Sequence, residues 1–469
     1  MHPLDLELLV PATGGTLRGD LPVDTRFRSI ERDARRVEPG DLFIAIAGER
    51  FDGHAFVADA AARGASAALV RRAWAEAHPE VALPLIIVDD EPVNGLQRLA
   101  GWWRSTLPVR VVGITGSVGK TSAKEVAAAV LAQRFQVYKS PGNLNNEIGL
   151  PLSLLEITPE IDIAVLEMGG AYAFGDLALL CDVARPNVGM VINVHPVHLE
   201  RMGTIEAIAE TKAELVDGIP ADGVVILNVD DPRVAAMAAR TSARVVTYGM
   251  SAGAEVRASN PAVLGMDGAA FDVEIDGARR HVATPMVGEH VPMLGLSAIA
   301  VGHAFGMTLD EMLPAFRERS VQVRVQFVPG PRGSMLIDDT YNASTPSVLS
   351  SLGVLEAFTA ERKIAVLGDM REMGSVSEAE HRTVGRRVAE VADALVTFGS
   401  EARFFTEEVE AVDGRCRAMA SFAANERDAL AAFLAAELRA GDVALLKGSR
   451  GLQMEDVVAH LTRLASERE

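Results

Sequence analysis

Residues 109–131 of the chain read VRVVGITGSVGKTSAKEVAAAVL, and this stretch decides the fold class. An apolar run leads into a glycine-rich turn, and the turn leads into a helical pattern in which Val126, Val130 and Leu131 recur at helical spacing. A strand, a glycine-rich turn and a helix in this order are a context in which proteins bind phosphate groups. The stretch therefore predicts an α/β fold with a nucleotide at the start of the helix.

The turn itself supplies groups that suit a phosphate. Gly116 and Gly119 let backbone N–H groups point inward around an anion, Lys120 adds a positive charge, and the Thr121 hydroxyl can bind Mg²⁺. The predicted ATP contacts are Thr115, Gly116, Ser117, Val118, Gly119, Lys120, Thr121 and Ser122. Because Ile114 stands where the common phosphate-loop pattern has its first glycine, a turn that binds nothing is the alternative.

The composition argues against several other classes of protein. A chain of 469 residues has room for about three domains. The net charge of −19 argues against a nucleic-acid partner, because phosphate contacts need a basic surface. No apolar run is long enough to span a membrane, and the acidic N-terminus lacks the pattern of a signal peptide. We expect a cytoplasmic, monomeric enzyme.

Strand and helix patterns alternate along most of the chain, which favours α/β domains. Short apolar runs at 37–88 indicate a first small domain. Strands are then predicted at 109–114, 161–167, 188–194, 224–229 and 243–248, an antiparallel elaboration at 251–283, and a helix at 309–319. Further strand runs at 335–339, 363–370, 394–400 and 443–449 alternate with helices, which predicts a doubly wound last domain. The predicted domains are 1–107, 108–321 and 322–469.

The ends of predicted strands supply candidate metal ligands. Strand 161–167 ends in Glu167, and strand 188–194 runs into His195 and His198. Since ligands bind at the carboxyl ends of parallel strands, these side chains should face the nucleotide. The Glu167 carboxylate suits Mg²⁺, and a histidine could complete the shell. A solvated glutamate and a histidine that caps a turn are the alternatives.

The helix predicted within 203–219 carries a lysine on its apolar face. Lys212 lies four residues after Ile208 and three before Leu215, so it should point toward the protein interior. A buried lysine with a lowered pKa can react with CO₂ to form a carbamate, whose oxygens suit Mg²⁺. Snorkelling of the side chain and an ion pair with Glu167 are the alternatives.

Together these motifs resemble the Mur ligase family over nearly the whole chain. The segments that carry the resemblance are 37–65, 113–125, 142–155, 166–170, 193–203, 208–215, 336–347, 367–385 and 445–455. The resemblance implies an α/β fold of three domains: a uridine-nucleotide domain, a central phosphate-loop domain that binds ATP, and a doubly wound C-terminal domain for the incoming substrate. LGDMREMG at 367–374 and KGSR at 447–450 point to the member that adds D-alanyl-D-alanine to UDP-N-acetylmuramoyl tripeptide through an acyl phosphate.

The resemblance also implies roles for individual residues. Lys120 and Thr121 would serve the ATP phosphates and a first Mg²⁺. Glu167, His198 and a carbamylated Lys212 would hold a second Mg²⁺, and with Lys120 they form the expected catalytic set. The other expected contacts are His290 and Asn342 for ATP, and Arg35, Asn145, Asn146, Lys447 and Arg450 for the substrates.

Two segments depart from the family pattern. Ala34 stands where a serine is usual, and Val291 and Leu294 stand where the adenine-side motif usually has asparagines. A nucleotide-regulated binding protein without ligase activity therefore stays open, as does a ligase with another acceptor, such as a folate or an amino-acid polymer. Glu167, His198 and Lys212 together argue against the first of these alternatives, because a mere binder has no need for a second metal.

Overall fold

The computed structural model describes residues 4–48, 51–169, 173–197, 199–317 and 325–466. Along the chain, its strands form sheets of five, nine and six strands, and a separate two-stranded pair. Every helix within these ranges is too short or too polar to cross a lipid bilayer. The sheets follow one another in sequence, which agrees with the predicted α/β organisation.

The N-terminal part contains the five-stranded sheet and the two-stranded pair. Its strands are β1 (Leu4–Asp5), β2 (Thr16–Arg18), β3 (Arg26–Phe27), β4 (Ile30–Glu31), β5 (Leu42–Ile44), β6 (Ala67–Arg71) and β7 (Leu85–Val88), and its helices are α1 (Leu6–Ala12), α2 (Val57–Ala62), α3 (Arg72–Ala77) and α4 (Pro92–Thr106). Strands β4 to β7 are parallel neighbours, β2 adds antiparallel to β7, and β1 pairs with β3.

The central part contains the nine-stranded sheet. Its strands are β8 (Arg110–Thr115), β9 (Val137–Lys139), β10 (Ile163–Glu167), β11 (Val188–Val191), β12 (Val224–Asn228), β13 (Arg244–Gly249), β14 (Val256–Val263), β15 (Ala269–Ile275) and β16 (Ala278–Thr284). Its helices are α5 (Lys120–Leu131), α6 (Gly149–Leu154), α7 (Asp176–Ala184), α8 (Leu199–Met202), α9 (Ile205–Asp217), α10 (Pro232–Ala236), α11 (Val291–Ala304) and α12 (Leu309–Met312).

The order of the central strands sets the position of the ligand site. Strand β8 lies between β10 and β11, and all three are parallel. The chain therefore leaves β8 toward one side of the sheet and later crosses to the other, and a crevice opens where the strand order reverses. Thr115 and Glu167, the last residues of β8 and β10, lie at this crevice. The predicted antiparallel elaboration is confirmed as β14, β15 and β16.

The C-terminal part is doubly wound, as predicted. Its strands are β17 (Gln326–Pro329), β18 (Met335–Asp338), β19 (Arg362–Gly368), β20 (Ala394–Phe398), β21 (Arg417–Phe422) and β22 (Asp442–Lys447), and its helices are α13 (Thr345–Ala357), α14 (Ser377–Val391), α15 (Arg403–Ala411), α16 (Arg427–Glu437) and α17 (Glu455–Ser466). Because side chains alternate along a strand, Ile364 and Val366 pack under α16 and α17, whereas Ala365 and Leu367 pack under α13, α14 and α15.

Two local predictions differ from the structure. The helix predicted at 309–319 is only α12, followed by a 3₁₀ turn at Leu313–Arg317, because Pro314 cannot donate the hydrogen bond that would continue the helix. The strand predicted at 188–194 ends at Val191. The domain boundaries after residues 107 and 321 stay predictions, and the second falls within 318–324, outside the described residues.

Candidate active site

A cavity of about 1600 Å³ lies at the carboxyl ends of the central strands. All three parts of the chain line it, with Arg32 from the N-terminal part, Lys120 and Glu167 from the central part, and Asn342 and Arg450 from the C-terminal part. Ligand pockets usually measure about 300–1,000 Å³. The cavity therefore has room for a nucleotide and a further substrate.

The phosphate turn forms one wall of this cavity. Gly119 has a φ of 87° and directly precedes α5, so the turn needs a residue that tolerates the left-handed region. Lys120 Nζ donates to the Gly116 carbonyl at 2.7 Å, which places the ammonium over the turn. Thr115 is buried at the end of β8, and the predicted contacts other than Thr115 and Thr121 line the cavity.

The segment after β11 holds the phosphate turn in shape. The Asn193 side chain accepts a hydrogen bond from the Val118 N–H and donates one to the Val118 carbonyl, both at 3.0 Å. Ser117 Oγ accepts a hydrogen bond from the His195 N–H at 2.9 Å and donates one to the His195 carbonyl at 3.1 Å. The turn is therefore preorganised before any ligand arrives. Asn193 was not predicted as a site residue, although it lies two residues after the end of β11 at the crevice.

Glu167 is buried and accepts hydrogen bonds from both sides. Thr121 Oγ1 donates to its Oε2 at 2.7 Å, and Asn145 Nδ2 donates to its Oε1 at 2.7 Å. A Cβ atom on Gly169 would lie 2.6 Å from the Asn145 side chain, so a glycine there lets Asn145 reach the carboxylate. Asn146 also lines the cavity, where its side chain accepts from the Gly149 N–H at 2.9 Å.

These oxygen atoms fit a magnesium ion. Hydroxyl and carboxylate oxygens are suitable ligands, and Mg²⁺ usually takes only one or two protein carboxylates while water and phosphate complete its shell. Among the described residues no group of three or more His, Cys, Asp or Glu side chains could hold a metal ion. Thr121 and Glu167 therefore suit an ion that also binds a nucleotide phosphate, rather than a closed structural site. His198 lies outside the described residues.

Lys212 lies on the inner face of α9, as predicted, and lines the same cavity. Its side chain is only 3% exposed, and its ammonium has no hydrogen bond or ion pair with any described residue. The alternative of an ion pair with Glu167 is therefore wrong. Burial, together with the nearby charge of Lys120, lowers the pKa of Lys212 to about 7. Near neutral pH a substantial fraction of Lys212 is therefore the uncharged amine, which is available for chemistry that a solvated ammonium cannot perform.

His290 connects the central and C-terminal parts of the cavity wall. It precedes α11, and its Nδ1 forms a 2.9 Å hydrogen bond with Ser350 Oγ of α13. Burial lowers its pKa, so the ring is neutral at physiological pH. Val291 and Leu294, which replace the expected asparagines, are buried, and Leu294 forms part of an apolar stretch of the cavity wall.

Lys447 is buried at the end of β22 and holds the segment that carries Asn342. Its Nζ donates to Asp339 Oδ2 at 2.5 Å and to the Asn342 carbonyl at 2.9 Å. Ser351 donates to the same Asp339 oxygen at 2.6 Å. With these partners, Lys447 is placed to position Asn342 at the cavity.

Two arginines line the C-terminal side of the cavity without a carboxylate partner among the described residues. Arg450 donates to the Tyr341 hydroxyl at 3.1 Å and stacks over its ring at 5.1 Å. Arg371 was not predicted, and its backbone N–H is held by Ser449 Oγ at 2.8 Å, whereas its guanidinium forms no hydrogen bond with the described part of the chain. A Cβ on Gly451 would lie 2.7 Å from Arg371 Nη1, so the two loops touch. Arg371 could have been predicted from the sequence, because it is the arginine of the motif LGDMREMG.

The N-terminal part brings Arg32 to the cavity rather than the predicted Arg35. Asp33 caps a short 3₁₀ turn and binds the Arg35 guanidinium through both carboxylate oxygens, at 2.9 and 2.7 Å. Arg35 is 85% exposed and does not line the cavity, whereas Arg32 does. The hydrogen bonds from Arg35, from its side chain first, lower the pKa of Asp33 to about 2.

His381 is buried next to the LGDMREMG loop and holds it in place by hydrogen bonds. It is fully buried in α14, where its Nε2 accepts from the Met370 N–H at 3.0 Å and its Nδ1 donates to the Ser377 carbonyl at 2.8 Å. Both bonds need the neutral ring, and burial lowers the pKa of His381 accordingly. The motif histidine thus positions the loop that carries Arg371 and does not itself line the cavity.

The fold and the cavity define a phosphate-loop enzyme that uses a nucleotide. Family models match the chain as Mur ligase family, catalytic domain, over 26–97, as Mur ligase middle domain over 114–302, and as Mur ligase, glutamate ligase domain, over 323–450. The chain belongs to the Mur ligase family and has its three-domain architecture.

Individual relatives cover almost the whole chain. A Bacillus subtilis protein named UDP-N-acetylmuramoyl-tripeptide–D-alanyl-D-alanine ligase is 33% identical over 450 residues, which cover 95% of this chain and 96% of that one. The MurF structure from Acinetobacter baumannii superposes with a TM-score of 0.86 at 29% identity and covers 99% of both chains. A MurF ligase from Thermotoga maritima in complex with ADP has a TM-score of 0.79 at 29% identity, covering 94% of this chain and 99% of that one.

Proposed function

We propose that the protein joins D-alanyl-D-alanine to UDP-N-acetylmuramoyl tripeptide while ATP becomes ADP and phosphate. One observation carries the proposal: a single cavity is lined by the phosphate turn, the buried Lys212, the arginines of the C-terminal part and Glu167, whose carboxylate is hydrogen-bonded to Thr121. The relative from Bacillus subtilis that is named for this reaction covers 95% of the chain, and the MurF structure from Acinetobacter baumannii covers 99% of it. The reaction consumes ATP, so we place it in the cytoplasm.

The chemistry follows from the poor reactivity of a carboxylate. A carboxylate oxygen of the tripeptide attacks the γ-phosphorus of ATP, the bond to the β-phosphate oxygen breaks, and ADP leaves. The free amine of the dipeptide then attacks the acyl carbon, inorganic phosphate leaves and the amine loses a proton. Negative charge builds on oxygen in both steps. Lys120 and the N–H groups of the turn, which line the cavity, would stabilise this charge.

Magnesium ions fit the oxygen donors of Thr121 and Glu167 beside the phosphate turn. Thr121 would hold the ion that accompanies the ATP phosphates, and Glu167 a second one, to which His198 is the predicted further ligand. Bound there, Mg²⁺ would neutralise charge on the phosphate oxygens. Asn145 orients the Glu167 carboxylate through its hydrogen bond.

We propose in addition that Lys212 carries a carbamate. Its neutral amine would attack CO₂, form a C–N bond and release a proton, which leaves an anionic carbamate in place of a cation. Its burial, its position in the cavity and the absence of an acidic partner among the described residues support this chemistry. An anion there would offset the charge of Lys120 and provide oxygens for Mg²⁺.

The dipeptide would lie against the C-terminal part. Its carboxylate needs a cation, and Arg371 and Arg450 face the cavity from adjacent loops without a carboxylate partner among the described residues. Arginine suits this role because its planar guanidinium group can donate two parallel hydrogen bonds to a carboxylate. Arg32, which lines the same cavity from the N-terminal part, would serve the anionic uridine-nucleotide substrate.

A phosphate-release assay with purified protein tests the proposal. ADP and phosphate should appear only when ATP, the UDP-N-acetylmuramoyl tripeptide and D-alanyl-D-alanine are all present. Release with a different acceptor, such as a folate, would favour another ligase of this fold. No release with any tripeptide and dipeptide in a panel would favour a binding protein without ligase activity.

A further inference from the structure

Lys124 is a fully buried lysine that the proposed mechanism does not use. It lies on α5 one helical turn after Lys120, and its side chain is 0% exposed. Long charged side chains are rarely buried without a compensating structural reason. The partners of Lys124 show what its burial achieves.

The Lys124 ammonium binds the loop that follows β9. Its Nζ donates to the Ser140 carbonyl at 2.5 Å and to the Gly142 carbonyl at 3.2 Å. The Glu125 carboxylate lies 3.3 Å away and balances the charge. The first helical turns after the phosphate turn are therefore tied to residues 140–142.

The same loop carries the groups that hold Glu167. Ser140 Oγ accepts from the Glu167 N–H at 3.2 Å. Asn145 donates from its side chain to Glu167 Oε1 at 2.7 Å, and its carbonyl accepts from the Gly169 N–H at 2.7 Å. Thr121, at the start of α5, completes the ring of contacts by donating to the other Glu167 oxygen at 2.7 Å.

We propose that Lys124 is a positioning residue for the magnesium site. By fixing the Ser140–Gly142 backbone, it holds Asn145 where that amide orients the Glu167 carboxylate toward Thr121. Without the ammonium, the carbonyls of Ser140 and Gly142 lose their donor and the loop moves away from α5. The kinetic consequence rests on the proposed ligase reaction, but the binding consequence needs only a nucleotide and Mg²⁺.

The test compares Lys124→Met with Lys139→Met. Lys139 is 51% exposed and pairs with the same Glu125, so its substitution removes a neighbouring lysine charge without touching the loop carbonyls. Mg²⁺ binding is titrated calorimetrically in the presence of the β,γ-methylene analogue of ATP. Lys124→Met should weaken Mg²⁺ binding about 10-fold or more, as loss of groups that orient metal ligands does. Lys139→Met should stay within about twofold of the unmodified protein.

A double substitution separates positioning from general damage. If Lys124 acts through Asn145, adding Lys124→Met to Asn145→Ala should change Mg²⁺ binding by no more than about twofold. Additive losses would overturn the proposal, as would unchanged Mg²⁺ binding in folded Lys124→Met protein. If circular dichroism shows that Lys124→Met does not fold, Lys124→Gln, which keeps an amide donor, replaces it. Failure of both variants to fold would show a purely structural role and would also overturn the proposal.

The binding and activity results are independent. Failure of the unmodified protein to form product would contradict the proposed reaction and leave the Mg²⁺ titrations valid. Normal product formation combined with unchanged Mg²⁺ binding in Lys124→Met would contradict only the role of Lys124.

Discussion

Thr121 Oγ1 donates a 2.7 Å hydrogen bond to Glu167 Oε2, which joins the first turn of α5 to the last residue of β10. These residues are 46 positions apart in the chain, yet adjacent parallel strands bring them together at the crevice. We propose that the hydroxyl and the carboxylate bind Mg²⁺ together with nucleotide phosphates.

Removing the Thr121 hydroxyl should impair the reaction without unfolding the protein. Thr121→Val keeps the shape of the side chain but loses the oxygen, so we expect kcat/KM for ATP to fall about 10- to 100-fold. Thr121→Ser keeps the hydroxyl and serves as the matched control. Steady-state phosphate release at several Mg²⁺ concentrations measures both. Equal activity of the valine and serine variants would show that the hydroxyl does not serve the metal.

Lys212→Ala should abolish turnover, and short carboxylic acids such as acetate should restore part of it. An added carboxylate can occupy the space of the lost carbamate and supply its negative charge. Thr121→Val should gain nothing from acetate, because its defect lies elsewhere. Protein equilibrated with ¹³C-bicarbonate should show a carbamate carbon signal by NMR, and Lys212→Ala should lack it. Full activity of Lys212→Ala would leave Lys212 with a structural role only.

Arg371→Met should raise the KM for D-alanyl-D-alanine while the KM for ATP stays nearly constant. A hydrogen bond to a charged group contributes about 1.5–3 kcal/mol, which corresponds to about 10- to 100-fold in KM. Arg403→Met is the control, because Arg403 stacks on Phe404 and does not line the cavity. The dipeptide with an amidated C-terminus should be a poor substrate for the unmodified enzyme. If Arg371→Met still discriminates against the amide as strongly, Arg371 does not bind the carboxylate.

The protein should lose stability as the pH falls below the ordinary histidine pKa of 6.5. His381 has a lowered pKa in the folded state because it is buried, so the unfolded chain binds the proton more tightly. Its contribution is therefore complete above pH 6.5 and declines as the pH falls toward the folded pKa. His381→Gln keeps an acceptor for the Met370 N–H but does not titrate. Its melting temperature should fall less between pH 7 and pH 5 than that of the unmodified protein; parallel curves would exclude His381 as the cause.

The position of a site residue could be predicted from the sequence where it depends on a single strand or helix. Glu167 ends a strand, and Lys212 lies on the apolar stripe of a helix, so the periodicity of a single segment places each one. The order of the strands then brings both to one cavity. Arg35 shows the limit of such reasoning, because a 3₁₀ turn capped by Asp33 sends Arg35 to solvent and Arg32 to the cavity.

Contacts between distant loops could not be predicted in the same way. Arg371 meets the Ser449 loop only because β19 and β22 are neighbours, and His290 meets Ser350 only because two parts of the chain pack together. The local sequence pattern of these segments does not show which residues of a distant loop they will contact. The early end of the helix predicted at 309–319 was readable from the sequence, since Pro314 interrupts it.

The transfer of oxygen from the tripeptide to phosphate tests the central claim most directly. The UDP-N-acetylmuramoyl tripeptide is prepared with oxygen-18 in its terminal carboxylate and incubated with ATP, D-alanyl-D-alanine and the purified protein. If the reaction passes through an acyl phosphate, the bond between the acyl carbon and the labelled oxygen breaks in the second step. Mass spectrometry should then find one oxygen-18 atom in the released phosphate for each peptide bond formed. Product formation with unlabelled phosphate would contradict the acyl-phosphate mechanism.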